Sequence, residues 1–296
     1  MTDTPSPRQK LRALRDQDGI IVAPGAYDCI TALLIEQAGF SAVYMTGAGT
    51  AATHGYPDYG LLTMTEMVGN ASRIANAVGV PLIADADTGY GNELNVTRTI
   101  REYEKNGVAG IHIEDQGFPK KCGHLDDKEI IPLEAYVAKI RAAAAARRDP
   151  DFMIIARTDS RAVAGFEEAI RRANAALDAG ADMAFVEAPQ TMEEVESVPK
   201  LVNGPCLLNL VYGGKTPLVS FDKAEQLGFK LVILPGLLLR NVIGVCEQVL
   251  KDLTATQTHP ELGHSLTVRE IFKRFGADEW DSLRDRFVDQ GREAAE

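Results

Sequence analysis

Eight times along this 296-residue chain a short apolar run, in most cases closing on a polar residue, gives way to a segment of helical periodicity. The runs are IIVAPG (20–25), SAVYMTG (41–47), PLIADAD (81–87), GIHIED (110–115), FMIIARTD (152–159), MAFVEAP (183–189), CLLNLV (206–211) and LVILPG (231–236). Short β-branched runs of this kind read as buried strands. Between them lie segments such as DCITALLIEQAG, TMTEMVGNASRIANAVG, LNVTRTIREYEKNG and GFEEAIRRANAALDAG, several closing on the Gly favoured just past a helix C-terminus. Eight β-α units predict an α/β fold, a (β/α)8 TIM-type barrel, with a doubly wound sheet as the alternative. The polar residues at nearly every strand end favour the barrel, because barrel active sites are built there.

No linker or shift in composition interrupts the pattern, so 1–296 reads as one barrel domain, preceded by a short amphipathic helix in PSPRQKLRALRDQDG. From about Leu250 the character changes. KDLTATQTHPELGHSL reads as loop, and VREIFKRFG and DEWDSLRDRFVDQGREAAE read as helices of a C-terminal extension over 250–296. Phe272, Phe275, Trp280, Leu283 and Phe287 in these helices need a partner surface, either their own barrel or a second subunit.

The stretch with the most chemistry is Ile111–His124, IHIEDQGFPKKCGH. Its strand ends in Glu114 and Asp115, and acids at a strand end can hold a hard cation through oxygen. The loop then brings Lys120, Lys121, Cys122, Gly123 and His124 side by side. Neighbouring positive charge is expected to depress the Cys122 thiol pKa. Asp85 and Asp87 close the third strand two residues apart, which places both carboxylates on one side. They are either a divalent-cation site, for which oxygen ligands favour magnesium or manganese over zinc, or a turn and helix cap with the following TGYGN. Gly47 and Gly49 let backbone N–H groups approach an anion, or simply make a turn. Asp58 lies in the same loop, and Tyr44 can direct its hydroxyl to the barrel mouth or pack. Arg157 offers a bidentate donor for a carboxylate. Glu187 is an anchor for that Arg, a proton acceptor or a core carboxylate, and Asn209 offers both donor and acceptor. His112, inside a strand, reads as a core histidine. His54, His259 and His264 have no evident partner.

With 31 basic and 42 acidic residues, a net charge of −11, the chain has no field to attract nucleic acid. An anionic substrate then needs a metal or a few placed cations. Cysteines 29, 122, 206 and 246 are far apart and form no CxxC pair, which fits a reducing compartment. The N-terminus lacks an apolar leader, and no run reaches membrane length, so a cytoplasmic protein without membrane partners is expected.

YMTGAGTAA, YPDYG, DADTGYGN, HIEDQGFPKKCGH, DPDFMIIARTD, AGADMAFVEAP and NLVYGGKTP together resemble the isocitrate lyase/phosphoenolpyruvate mutase superfamily. Its methylisocitrate and dimethylmalate lyases are the most similar branches, and the resemblance runs from about Gly25 to Gly236. It implies a Mg²⁺-dependent (Mn²⁺ possible) oxo-acid lyase that cleaves a carbon–carbon bond in a small 2-hydroxy carboxylate of the 2,3-dimethylmalate or 2-methylisocitrate type. It implies a homo-oligomer, dimer or tetramer, with the last barrel helix exchanged between subunits. Asp87 corresponds to the direct metal ligand, and Asp58, Asp85 and Glu114 to residues holding its waters. Cys122 corresponds to the catalytic thiol on a mobile loop. Tyr44, Thr46, Gly47 and Ala48 line the keto-acid half, and Lys120, Gly123, His124, Arg157, Glu187 and Asn209 the remainder. Tyr212 stands where methylisocitrate lyases carry an acid, and the GGKTP after it leans to the dimethylmalate branch. Pro235 and Gly236 stand where an oxaloacetate hydrolase has a hydroxyl residue. A phosphonate-cleaving or phosphonomutase enzyme of the same superfamily is the alternative, as is an oxaloacetate hydrolase or decarboxylase.

Overall fold

The computed structural model describes residues 5–125, 127–261, 263 and 266–293. All eight expected strands form: β1 Ile21–Ala26, β2 Val43–Met45, β3 Leu82–Asp85, β4 Gly110–Glu114, β5 Met153–Thr158, β6 Met183–Val186, β7 Cys206–Asn209 and β8 Leu231–Leu234. Each is parallel to its neighbours in chain order, and β1 closes on β8 with Ile21 opposite Leu231 and Pro24 opposite Leu234. Closure rules out the doubly wound sheet. The seam is tight: a Cβ on Gly25 would lie 2.4 Å from the Pro235 carbonyl oxygen.

Ile21, Ala23, Tyr44, Ile83, Met153, Ile155, Met183, Phe185, Leu207, Leu231 and Ile233 fill the barrel interior. The leading helix, Pro7–Asp16, is capped by Ser6 and Gln9 and adds its one buried residue, Leu11, to that cluster. Arg8 pairs with Asp149 at 2.9 Å and Arg12 with Asp182 at 2.8 Å, which fastens the helix to loops before β5 and β6. The apolar faces of the surrounding helices, such as Met64–Ala77 and Glu93–Lys105, pack on the outward side chains of the strands. Every strand therefore has its C-terminal end, where the polar residues are, at the same mouth.

The chain separates into a barrel unit through Asn241 and a second unit from Val242 onward. The helix over Leu237–Thr256 is continuous and has no buried residue. Residues 251–256, expected as loop, are its last turns, because KDLTAT carries no breaker. The other helices of the second unit are Val268–Arg274 and Ala277–Glu293, and Phe272, Phe275, Trp280 and Phe287 on them are exposed. His264 lies outside the described residues. No helix among those described is long and apolar enough to cross a membrane.

Candidate active site

A cavity of about 140 Å³ opens at the C-terminal mouth, lined by Tyr44, Thr46, Ala48, Asp58, Asp85, Cys122, Gly123, His124, Arg157, Glu187 and Asn209, together with Phe185, Val211, Pro235, Gly236 and Leu239. Eleven of the sequence-predicted residues meet there. The other four, Gly47, Asp87, Glu114 and Lys120, stand directly behind it.

The acids form one cluster around one ammonium. Lys120 Nζ lies 2.5 Å from Asp58 and 2.7 Å from Asp87, and its side chain is buried. Asp85 accepts the Asp87 N–H at 2.9 Å. The strand has already ended at Asp85, and Asp87 adopts φ 47°, so a left-handed turn rather than strand alternation aims the second carboxylate. Gly47 makes room: a Cβ there would sit 2.4 Å from Asp85 Oδ2. Gly49 serves packing against Tyr27 and Thr46 instead.

Environment splits the two aspartates. Burial pushes Asp85 up, but His112, Lys120, Arg157 and the Asp87 N–H outweigh it and hold the carboxyl down at about 2. Burial with the charges of Asp85 and Asp58 pushes Asp87 up to about 6, against the pull of Lys120. Glu114 is driven well above the usual carboxylate range by burial, although Arg157 Nη1 stands 3.0 Å from its Oε2. Neither Glu114 oxygen completes a hydrogen bond among the described residues, and Asp87 Oδ1 faces only the Lys120 ammonium. Buried carboxylate oxygens left this way call for a cation or its waters. No three His, Cys, Asp or Glu groups among the described residues close into a direct ligand cage. An all-oxygen donor set with unsatisfied buried oxygens nevertheless suits a hard ion that keeps much of its water shell. The residues fit Mg²⁺ or Mn²⁺.

Asp115 does not belong to this cluster. Next to Glu114 in the chain, it faces the other way and accepts from Thr158 Oγ1 at 2.6 Å, the Asp159 N–H at 2.8 Å and Arg172 Nη1 at 3.1 Å. It ties β4 to β5 and the helix outside them.

The Arg157 fork is also not open to a ligand as expected. Nε and Nη2 hold Asp159 at 2.9 and 3.1 Å, and Nη1 faces Glu114. At most two of its five N–H donors are left for a substrate. Its guanidinium lies 5.3 Å from the Phe185 ring centroid, which fixes its plane. Phe185 was not foreseen, although it shares a strand face with Glu187.

The loop after β4 is stapled at its base. Gln116 donates to the Lys121 carbonyl at 2.8 Å and accepts its N–H at 2.9 Å, and Gln116 bridges to Ile130. The loop delivers Cys122 half-buried into the cavity. Its thiol pKa is raised, not depressed: burial and Asp58 push it up, and the His124 N–H and Arg157 do not compensate. The lysines that suggested a thiolate act elsewhere, Lys120 among the acids and Lys121 on the Asp127 carbonyl. The thiol is held as S–H.

Gly123 presses on the floor of the site, where a Cβ would lie 2.4 Å from Glu187 Oε1 and 2.5 Å from Arg157 Nη2. His124 Nδ1 accepts the Lys215 N–H at 3.1 Å, so its ring proton sits on Nε2, 3.2 Å from Glu187 Oε1. Asn209 donates to both Glu187 oxygens at 3.2 Å, and its own buried Oδ1 has no partner among the described residues. Tyr44 keeps its proton, because burial and Asp85 raise it well above the usual phenol range. Its hydroxyl lies 2.8 Å from His112 Nε2. His112 is fully buried, held neutral mainly by burial with a pKa of about 4, stacks on Tyr44 and meets Phe185 edge-to-face. It is a core histidine, as expected, but one that touches the site. His54 bonds the Thr50 carbonyl and His259 its neighbour Pro260, both away from the cavity.

The family model described as phosphoenolpyruvate phosphomutase matches residues 11–254. A 2,3-dimethylmalate lyase of Eubacterium barkeri is 52% identical over 76% of this chain and 78% of its own length. A 2-methylisocitrate lyase of Aeropyrum pernix is 44% identical over 88% and 84%. A solved 2,3-dimethylmalate lyase, described as a PEP mutase/isocitrate lyase superfamily member, superposes with a TM-score of 0.91 at 41% identity, covering 96% of each chain. A phosphonopyruvate hydrolase solved with oxalate and Mg²⁺ superposes at 0.86 and 32% identity, over 96% of this chain and all of its own. With matches of this breadth over a closed barrel, the chain belongs to the PEP mutase/isocitrate lyase superfamily.

Proposed function

We propose that the chain is a carbon–carbon lyase that cleaves an alkyl-substituted 2-hydroxy di- or tricarboxylate, of the 2,3-dimethylmalate or 2-methylisocitrate type, to pyruvate and a second carboxylate. The observation that carries this is the Cys122 S–H, kept protonated and placed in a cavity whose walls include Thr46, His124, Arg157 and Asn209 as donors for carboxylates. A phosphonomutase moves a phosphoryl group between carbon and oxygen and protonates no carbon, so it has no use for such a thiol. The names of the 52% and 44% identical relatives support the same class of reaction.

Asp87, with Asp58, Asp85 and Glu114 behind it, would hold Mg²⁺ or Mn²⁺, which when bound supplies a Lewis acid for the 2-oxygen and its carboxylate. Thr46, Gly47 and Ala48 open the helix at Gly47–Thr53, where first-turn N–H groups have no helical partner and suit the keto-acid carboxylate. The Glu187–His124 pair takes the proton of the 2-hydroxyl. The oxygen pair then forms the new carbonyl, and the carbon–carbon pair leaves with the other fragment as an enediolate. Arg157, Lys120 and Asn209 stabilise that charge. Cys122 delivers its proton to the carbanion carbon, and the proton first removed restores the thiol, so protons balance over a turnover. Pro235 and Gly236 on the cavity wall give no hydroxyl to a hydrolase.

Pyruvate release coupled to lactate dehydrogenase tests this with 2,3-dimethylmalate, 2-methylisocitrate, isocitrate and oxaloacetate offered in parallel. The first or second is turned over, and EDTA abolishes the signal. Silence on all four transfers the reading to the phosphonate enzymes of the superfamily.

We also infer that the protein is a homo-oligomer, dimer or tetramer, that exchanges its C-terminal helices. An apolar groove of about 510 Å³ on the barrel, lined by Leu210, Leu218, Val219, Phe221, Leu234 and Leu237, suits a helix from a second copy. Val245, Phe272, Trp280 and Phe287, all more than half exposed in the single chain, suit such an exchange. Light scattering at micromolar concentration tests it, and a monomer there refutes it.

A further inference from the structure

Lys128 lies on the returning arm of the catalytic loop, four residues beyond His124 and absent from every motif in the sequence. Its side chain is 1% exposed, which lysine tolerates only when paired. Its ammonium donates a close hydrogen bond to the Gly123 carbonyl and lies 2.9 Å from Asp159 Oδ1. That same oxygen accepts Arg157 Nη2 at 3.1 Å, while Asp159 Oδ2 accepts Arg157 Nε at 2.9 Å. One buried carboxylate at the end of β5 therefore fixes both the substrate-facing arginine and the loop that carries the thiol. Gly123, gripped by its carbonyl from one side, presses on Arg157 and Glu187 from the other.

We propose that Lys128 is a positioning residue, a latch that pins Cys122-Gly123-His124 over the cavity by joining the Gly123 carbonyl to Asp159. The ends of the loop are already held by the pairing of Gln116 with Ile130 and by the Gly117 N–H on the Glu129 carbonyl. The loop tip is tied on one side by His124, which accepts the Lys215 N–H, and Lys128 supplies the tie on the other, to the end of β5. A charged tie of this kind releases as a unit, because a buried ammonium that leaves its carboxylate must go to water. The role rests on the reading of Cys122 as proton donor, but the latch itself does not need it.

Hydrogen–deuterium exchange on the full-length protein without ligand separates the two. In Lys128→Met, amides of 118–125 should exchange at least about tenfold faster, those of β4 and β5 staying at parental rates, since local opening governs loop exchange. The kcat for pyruvate release should fall far more than KM changes. Loop exchange within about twofold of the parent overturns the latch even if the lyase is active. Faster loop exchange in the variant, with a parent that releases no pyruvate from any substrate, keeps the latch and removes the lyase reading. If the Met variant does not fold, Lys128→Arg, which retains charge and donors, decides: near-parental protection of 118–125 supports the latch, and exchange raised across the whole barrel overturns it.

Discussion

Cys122→Ser should lower kcat by roughly 10²–10⁴, the range that a positioned general acid contributes, while substrate affinity stays within a few-fold of the parent. The two side chains are nearly equal in size, so the loop still closes and the cavity keeps its shape. What changes is acidity. A hydroxyl gives up its proton far less readily than a thiol, and the burial and the Asp58 charge that raise the thiol act on the hydroxyl as well. The carbanion then waits for a donor in a site that excludes water. Steady-state kinetics with calorimetric binding to the slow variant would show the split between turnover and affinity. Turnover within about fivefold of the parent would remove Cys122 from the chemistry.

Asp159→Asn should be the most destabilising single change near the site, by about 3–5 kcal/mol at neutral pH, because it leaves buried cations without their carboxylate. Arg157 would keep only Glu114, and Lys128 only the Gly123 carbonyl. The effect has a pH signature. Burial raises the Asp159 carboxyl, but Arg157 and Lys128 outweigh it and hold it down at about 2, below its ordinary 3.8. A carboxyl depressed in the folded state adds stability that is complete above the unfolded value and is lost as pH falls through the folded one. The gap between parent and variant should therefore be widest at neutral pH and narrow between about pH 4 and pH 2. Urea unfolding of both proteins across that range measures it. A gap that is unchanged at the acid end would mean that the charge of Asp159 is not what matters.

The barrel was legible because its signal repeats: eight apolar runs, most of them ended by a polar residue, admit few other closed arrangements. The acids and the loop were legible because strand ends and chain neighbours are local features. The misreadings come where neighbours in sequence part in space. Glu114 and Asp115 are adjacent, so on a strand they face opposite sides, and only one reaches the site. Lys120 and Lys121 flank the thiol in the chain, but their ammonium groups are drawn to Asp58, Asp87 and the Asp127 carbonyl, which leaves burial to set the thiol. Lys128, Asp159 and His112 gain their roles only from elements far away in the chain, and no local pattern marks them. The fork of Arg157 looked open for the same reason.

The pairing of β1 with β8 has a consequence for how the molecule is made. Ile21 meets Leu231 only when nearly the whole barrel is in place, and such distant contacts form late and slowly. The residues that crowd the mouth come from β2 through β8 and the segments after them, so no half of the barrel contains them all. In an open chain Asp58, Asp85, Asp87 and Glu114 are hydrated and far apart. Their mutual repulsion, and the desolvation of Glu114 and Arg157, arise only as the ring shuts. Frustration is thus confined to the final stage of folding, where the accumulated burial of eight strands can bear it. Fragments that fold without the seam would be free of this conflict, and for that reason would also lack the chemistry.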